Sequence, residues 1–265
     1  MTVRPVVYLC VLIFFVVDSL PGQQAPAAPQ VSPPKNSSSS TLIVGFGPTV
    51  SNAEGKQAAE KLLQAMGGAA KVNSVKTLHQ TVAAVQDGRH IEIEQSIVYP
   101  DKQAQTMRMP QGKVLLVVTP NDAFTVVGGQ AQELPPDQRA SLDTALKHDP
   151  INVLQHLNDP DYVFVASGQE SVDGAQATLV DIEAAGIPTR WWIGGDGRLL
   201  RERYYGDGGK METMVYSTWK GFDGLQYPTK YELLNEAGQS RMTMTLTGMQ
   251  INPAVSPSLF QRPSQ

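Results

Sequence analysis

The stretch TRWWIGGDGRLLRERYYGDGG, Thr189–Gly209, sets two tryptophans side by side before a glycine-rich turn and a run alternating Arg, Glu and Tyr. Neighbouring residues on a strand point to opposite faces. One tryptophan therefore faces inward and the other outward. Gly195-Asp196-Gly197 suits a three-residue hairpin loop with Gly197 in the left-handed conformation. That loop opposes Ile193 to Leu199, Trp192 to Leu200, Trp191 to Arg201 and Arg190 to Glu202. A tighter Asp196-Gly197 turn opposes Arg190 to Arg203, like against like. Opposite charges across strands are favourable, so the first register is preferred. It places Trp192, Leu200 and Tyr204 on the inward face, with Arg190 and Glu202 paired beside them. It leaves Trp191 on the solvated face, stacked under Arg201 as a cation–π pair.

The same two-residue period runs outward from this hairpin in both directions. Strands are predicted at Tyr162–Gln169, Ala175–Ala184, Thr189–Ile193, Leu199–Tyr205, Met211–Lys220, Leu225–Leu234 and Arg241–Ile251. An earlier set covers Thr77–Gln86, His90–Tyr99, Lys102–Met109, Lys113–Thr119 and Ala123–Val127. Tight-turn signals at QDGR, YPDK and PQGK separate the earlier strands. This is an antiparallel meander rather than a βαβ pattern.

Helices are predicted at the start and in the middle. Ser51 and Glu54 have capping-box spacing, and Ala59, Leu62, Leu63 and Met66 form an apolar stripe that ends at Gly67-Gly68. Leu142, Ala145 and Leu146 form a second, short stripe. Asp149 is placed to cap a third helix with Pro150 at its first position and Ile151, Leu154 and Leu157 on its apolar side.

Before the first helix the composition changes twice. Arg4 precedes the apolar run VVYLCVLIFFVV, Val6–Val17. A membrane span needs about twenty apolar residues, so this shorter run reads as a secretory signal peptide over residues 1–22, cleaved after Gly22, with an uncleaved membrane anchor as the alternative. Residues 23–50 include a Pro- and Ser-rich, nearly uncharged stretch and read as a flexible linker. The single cysteine, Cys10, lies inside the apolar run. The mature chain is thus expected to lack disulfides and thiolate chemistry. Net charge is −4 with no basic block, which speaks against nucleic-acid partners.

Motifs for catalysis are lacking. TLIVGFGPTV fails the dinucleotide fingerprint because Val50 stands where the third glycine belongs. His79, His90, His148 and His156 have no metal-ligand spacing. They read as surface or helix-end residues. No nucleophile elbow or phosphate loop occurs. The carboxylates are scattered and nominate no acid/base pair. A non-enzymatic protein without cofactor or metal is the expectation, and a hydrolase with unmarked carboxylates is the remaining catalytic alternative.

Methionines carry more information. Met107, Met109, Met211, Met214, Met242, Met244 and Met249 fall in or beside predicted strands. Met107 and Met109 share a face, as do Met242, Met244 and Leu246. Methionine packs adaptably, so these residues mark either ordinary core or a deformable apolar cavity. Met107, Met109, Trp192, Leu200, Tyr204, Met242, Met244 and Leu246 are the candidate apolar-ligand residues.

Three stretches of the second half carry a family resemblance: GIPTRWWIGGDGRLLRERYYG, YSTWKGFDGLQYPTKYELL and MTLTGMQINPAVSPSLFQRP. With the order helix, meander, central helices, second meander, they resemble the LolA/LolB-like superfamily over about residues 51–263. The resemblance implies an α+β fold: an incomplete, half-open antiparallel β-barrel of about 11–12 strands, with helices covering its concave face. It implies a periplasmic or secreted protein and a lipid or acylated lipoprotein as partner. An envelope protein partner, with the core filled by the chain's own side chains, is the alternative.

Overall fold

A computed structural model of the protein describes residues 50–206 and 210–263, together with a short pairing of Tyr8–Leu9 with Ile13–Phe14. The rest of the expected signal peptide and linker lies outside the described residues. The chain opens with helix α1 (Ala53–Ala65) and α2 (Gly68–Ser74). Six strands follow: β1 (Thr77–Gln86), β2 (Arg89–Val98), β3 (Lys102–Met109), β4 (Gly112–Val118), β5 (Ala123–Val127) and β6 (Gln130–Glu133). Helices α3 (Pro136–His148) and α4 (Pro150–Gln155) come next. A second meander completes the fold: β7 (Tyr162–Val172), β8 (Ala175–Ala184), β9 (Ile187–Gly194), β10 (Leu199–Tyr205), β11 (Met211–Phe222), β12 (Leu225–Leu234) and β13 (Ser240–Ile251).

All thirteen strands form one antiparallel sheet in the order β6-β5-β4-β3-β2-β1-β13-β12-β11-β10-β9-β8-β7. The two meanders join where β13 pairs with β1, and β6 and β7 remain as unpaired edges. The sheet is therefore an open half-barrel with one strand more than the sequence suggested. The addition is β6, four residues with no alternating apolar pattern.

The helices pack on one face. Leu62 of α1, Phe164 of β7, Val82 of β1 and Met244 of β13 belong to one continuous core. Helix α1 approaches the backbone closely: a Cβ on Gly55 would lie 2.5 Å from the Phe164 carbonyl oxygen, so only glycine fits. Its predicted cap is corrected by one residue. Asn52 is the N-cap, accepting from Gly55 N at 2.7 Å, because the Ser51 hydroxyl instead accepts from Phe164 N on the edge strand. Helix α2 was missed, since the paired glycines that end α1 also start it.

Helix α3 spans the face. It touches β4 of the first meander and β9 of the second. Leu142, Ala145 and Leu146 are buried beneath it, as their spacing suggests. Asp149 caps α4 through Ile151 N (3.0 Å) and Asn152 N (3.2 Å).

The tryptophan hairpin corrects the preferred register. The three-residue loop forms, with Gly194 N bonded to Arg198 O and Gly197 at φ +82°. Ile193 pairs with Leu199, but a bulge then inserts Leu200 and shifts the ladder by one. Trp192 opposes Arg201, Trp191 opposes Glu202, and Arg190 opposes Arg203. The like charges are tolerated because Arg190 Nη2 is held by Asp181 Oδ2 on β8 at 3.0 Å. Trp191, Trp192 and Leu200 consequently change faces, while Tyr204 stays inward. Trp191 joins the main core, while Trp192 and Leu200 pack with Val172 and Ala177 in a separate outer cluster. Arg203, not Arg201, supplies the cation–π contact, and it covers Trp192 at 5.1 Å.

Candidate functional site

Where α3 meets α4, the inner face of the sheet encloses a small cavity of about 50 Å3. Its apolar wall is built by Val82, Ile93, Met214, Met244 and Ala145. Its polar wall comes from both meanders and from the helix junction. Gln80, Gln95 and Gln105 project from the first meander. Glu202, Tyr204, Tyr216, Tyr227 and Tyr231 project from the second, and His148 and Asp149 descend from the helices.

Glu202 is the centre of the polar wall. It shares the inner face with Tyr204, and the bulge at Leu200 sets Trp191 opposite it. It is 2% exposed, yet both carboxylate oxygens have partners. Oε1 accepts from Trp191 Nε1 at 3.1 Å and lies 3.1 Å from His148 Nδ1. Oε2 accepts from the Tyr216 hydroxyl at 2.6 Å. Burial alone would raise its pKa. The neighbouring His148 charge and the bonds from His148, Tyr216 and Trp191 outweigh burial and hold it below the usual value. A carboxylate acceptor assigns the ring proton to Nδ1. The imidazole also stacks on Tyr204, with centroids 4.6 Å apart. One side chain at the end of α3 is thus tied to β10 twice.

Asp149 forms the second tie. Beyond capping α4, it accepts from the Tyr99 hydroxyl at 3.0 Å. Burial pushes its pKa up to about 6, against the lowering effect of its hydrogen bonds. The hydroxyls of Tyr204, Tyr216 and Tyr227 are held far above their ordinary range, first by burial and then by nearby ionisable groups. At neutral pH they are hydrogen-bonding groups, not bases.

Three polar atoms on this wall are buried without a hydrogen-bond partner: Gln95 Nε2, His148 Nε2 and the Tyr204 hydroxyl. Buried polar groups in folded proteins are almost always bonded. Among the described residues, no group of three or more His, Cys, Asp or Glu comes together to hold a metal.

The sequence candidates divide between the two faces. Met107, Tyr204, Met242, Met244 and Leu246 lie in the main core, with Met109 packed against its margin. Tyr204 and Met244 border the cavity. Trp192 and Leu200 lie across the sheet in the outer cluster, away from it. Sequence reasoning missed Glu202, His148, Asp149 and Gln95 as members of one site. The available signal was the alternation of Glu202 with Tyr204 on the inward face, where the expected register paired Glu202 with Arg190 instead.

No protein-family model and no curated protein sequence matches the chain. Solved structures do resemble it. A DUF1329 family protein from Desulfovibrio piger superposes with a TM-score of 0.52 at 12% identity, over 78% of this chain and 97% of that one. A putative outer membrane lipoprotein-sorting protein domain from Vibrio parahaemolyticus gives 0.51 at 11% identity, over 79% and 97%. A LolA superfamily protein from Nitrosomonas europaea gives 0.52 at 11% identity, over 78% and 97%. The fold is LolA-like.

Proposed function

We propose that this chain is an exported, non-enzymatic envelope protein. Its domain, residues 51–263, binds one apolar ligand between the inner sheet face and the α3–α4 cover. Acyl chains of a lipid or lipoprotein are the ligand class. The observation that carries this reading is the placement of α3. It bridges both meanders over an apolar surface that includes Val82, Met214 and Met244, and it buries only Leu142, Ala145 and Leu146 as apolar anchors.

The magnitudes favour exchange of helix for ligand. A buried leucine side chain is worth about 1.5–3 kcal/mol. An acyl chain gains roughly 0.8 kcal/mol per buried CH2, on the order of 10 kcal/mol for a fourteen-carbon chain. A chain that takes over a leucine contact of α3, with His148 still held by Glu202, therefore gains more than the helix loses. Met107, Met109, Met242, Met244, Leu246 and Tyr204 are the side chains proposed to follow its contour. The LolA-like fold supports the same class of ligand.

The size of the cavity favours a second reading. About 50 Å3 holds no acyl chain, which suits an envelope interaction module filled by its own side chains.

Native mass spectrometry and lipid extraction of protein purified from a bacterial envelope separate the two. Stoichiometric acyl species are expected for the carrier. A clean unliganded mass that also ignores added acyl lipids of every head group would retire it in favour of the module.

A further inference from the structure

The polar wall restricts what the head of such a ligand is. We infer that the cavity is a head-group site for a neutral, oxygen-bearing head of the ester-and-hydroxyl type found in an acylglycerol, an inference that rests on the acyl-ligand reading above. Gln95 Nε2 only donates, so it needs an acceptor oxygen in the ligand. A cationic ammonium head offers none. The Tyr204 hydroxyl donates or accepts, and His148 Nε2 accepts from a hydroxyl when the ring is neutral and donates to an oxygen when it is charged. A hydroxyl beside an ester carbonyl matches this set.

Charge excludes the anionic alternative. Glu202 and Asp149 line the same cavity as the three unpartnered atoms. The His148 ring is already engaged by Glu202 at 3.1 Å. A carboxylate head entering here meets two acidic side chains and no free cation, since the described lining includes neither Lys nor Arg. The apolar wall of Val82, Ile93, Met214 and Met244 then leads the chain away from the head.

The experiment compares three probes that share a twelve-carbon chain, by tryptophan fluorescence and native mass spectrometry at pH 8: 1-monolaurin, laurate and dodecane. Monolaurin is expected to bind about tenfold more tightly than laurate, the scale of one satisfied buried hydrogen bond. Tyr204→Phe, which removes only the hydroxyl, and Gln95→Leu are each expected to weaken monolaurin about five- to tenfold. The loss is read as the ratio of monolaurin to dodecane affinity, which is expected to fall in both. Equal binding of laurate and monolaurin, or wild-type monolaurin affinity in a folded Tyr204→Phe variant, would overturn the head-group inference and leave the acyl reading standing. Binding of none of the three probes would overturn both.

Discussion

Trp191 and Trp192 are adjacent, equally hidden from solvent and built into different parts of the molecule. Trp191 is 0% exposed and Trp192 is 2%. Trp191 stands on the inner face, in the continuous core, and donates to a buried carboxylate. Trp192 stands on the outer face in a patch of a few side chains, donates to Glu170 at 3.1 Å and is covered by Arg203. Degree of burial thus says nothing about role. The inner face holds a connected polar network inside an apolar core. The outer face holds local patches over which charged side chains lie.

The outer face has a second such patch at the other end of the sheet. Leu259 and Phe260, near the chain end, pack on Val117 and Phe124. Arg262 clamps Asp122 at 2.6 and 2.8 Å and covers the Phe124 ring at 5.1 Å. Both patches pair an aromatic ring with an arginine.

Four substitution experiments would break or sharpen this contrast. The largest effect is expected at Glu202. Glu202→Ala strands His148 Nδ1, the Trp191 indole and the Tyr216 hydroxyl in the core. Removing one partner of a buried pair costs about 3–5 kcal/mol, read as a lost denaturation midpoint. A cost below about 1 kcal/mol would show that water reaches the inner network.

Next, Trp191→Ala should cost about 3–5 kcal/mol as a large-to-small core change. Trp192→Ala should cost clearly less, roughly 2 kcal/mol, because solvent can refill an outer patch. Equal losses in urea titrations would erase the distinction between the faces.

The third experiment is a pH series. Glu202 titrates below its ordinary value in the folded protein. Its contribution is present above the unfolded pKa, near 4.5, and is lost as pH falls through the folded value. Asp149 behaves oppositely. Its folded pKa is raised from 3.8 to about 6, so its contribution is full below 3.8 and is lost as pH rises through about 6. Asp149→Asn keeps the helix cap and should flatten the melting profile between those two values. Glu202→Gln should flatten the decline at lower pH. Unchanged profiles in both variants would show that neither carboxylate differs from its unfolded state.

The smallest effect is expected on the outer face. Arg262→Ala breaks an ion pair whose side chains are 39% and 36% exposed, where solvent screening leaves little net stabilisation. A loss as large as that of Trp192→Ala would mean that the terminal segment belongs to the core.

Much of the architecture was legible. Period-two alternation with turn signals located twelve of the thirteen strands. The stripe of Ala59, Leu62, Leu63 and Met66 located α1, and Asp149-Pro150 located the start of α4. The sheet edge β6 was not legible, because three polar residues around the single Ala131 mark no face. The tryptophan faces were misread for a different reason. Loop chemistry set the pairing of Ile193 with Leu199 correctly, but nothing in Leu199-Leu200 marks a bulge. A one-residue slip exchanges every side chain between faces. That slip carried Trp191 from the outside to the inner face, where it donates to Glu202. The site itself joins residues 95, 148, 149 and 202, whose association depends on how α3 crosses the sheet. No local pattern records that crossing.

Photo-crosslinking tests the central claim most directly. A monoacylglycerol carrying a diazirine on its acyl chain would be irradiated with the full-length protein and the adducts mapped by peptide sequencing. Adducts are expected on the inner face and its cover, at peptides holding Val82, Met107, Met214, Met244 and α3. Adducts confined to the outer patches around Trp192 or Phe260, or none above the level seen with an unrelated protein, would contradict an apolar ligand held between the sheet and α3.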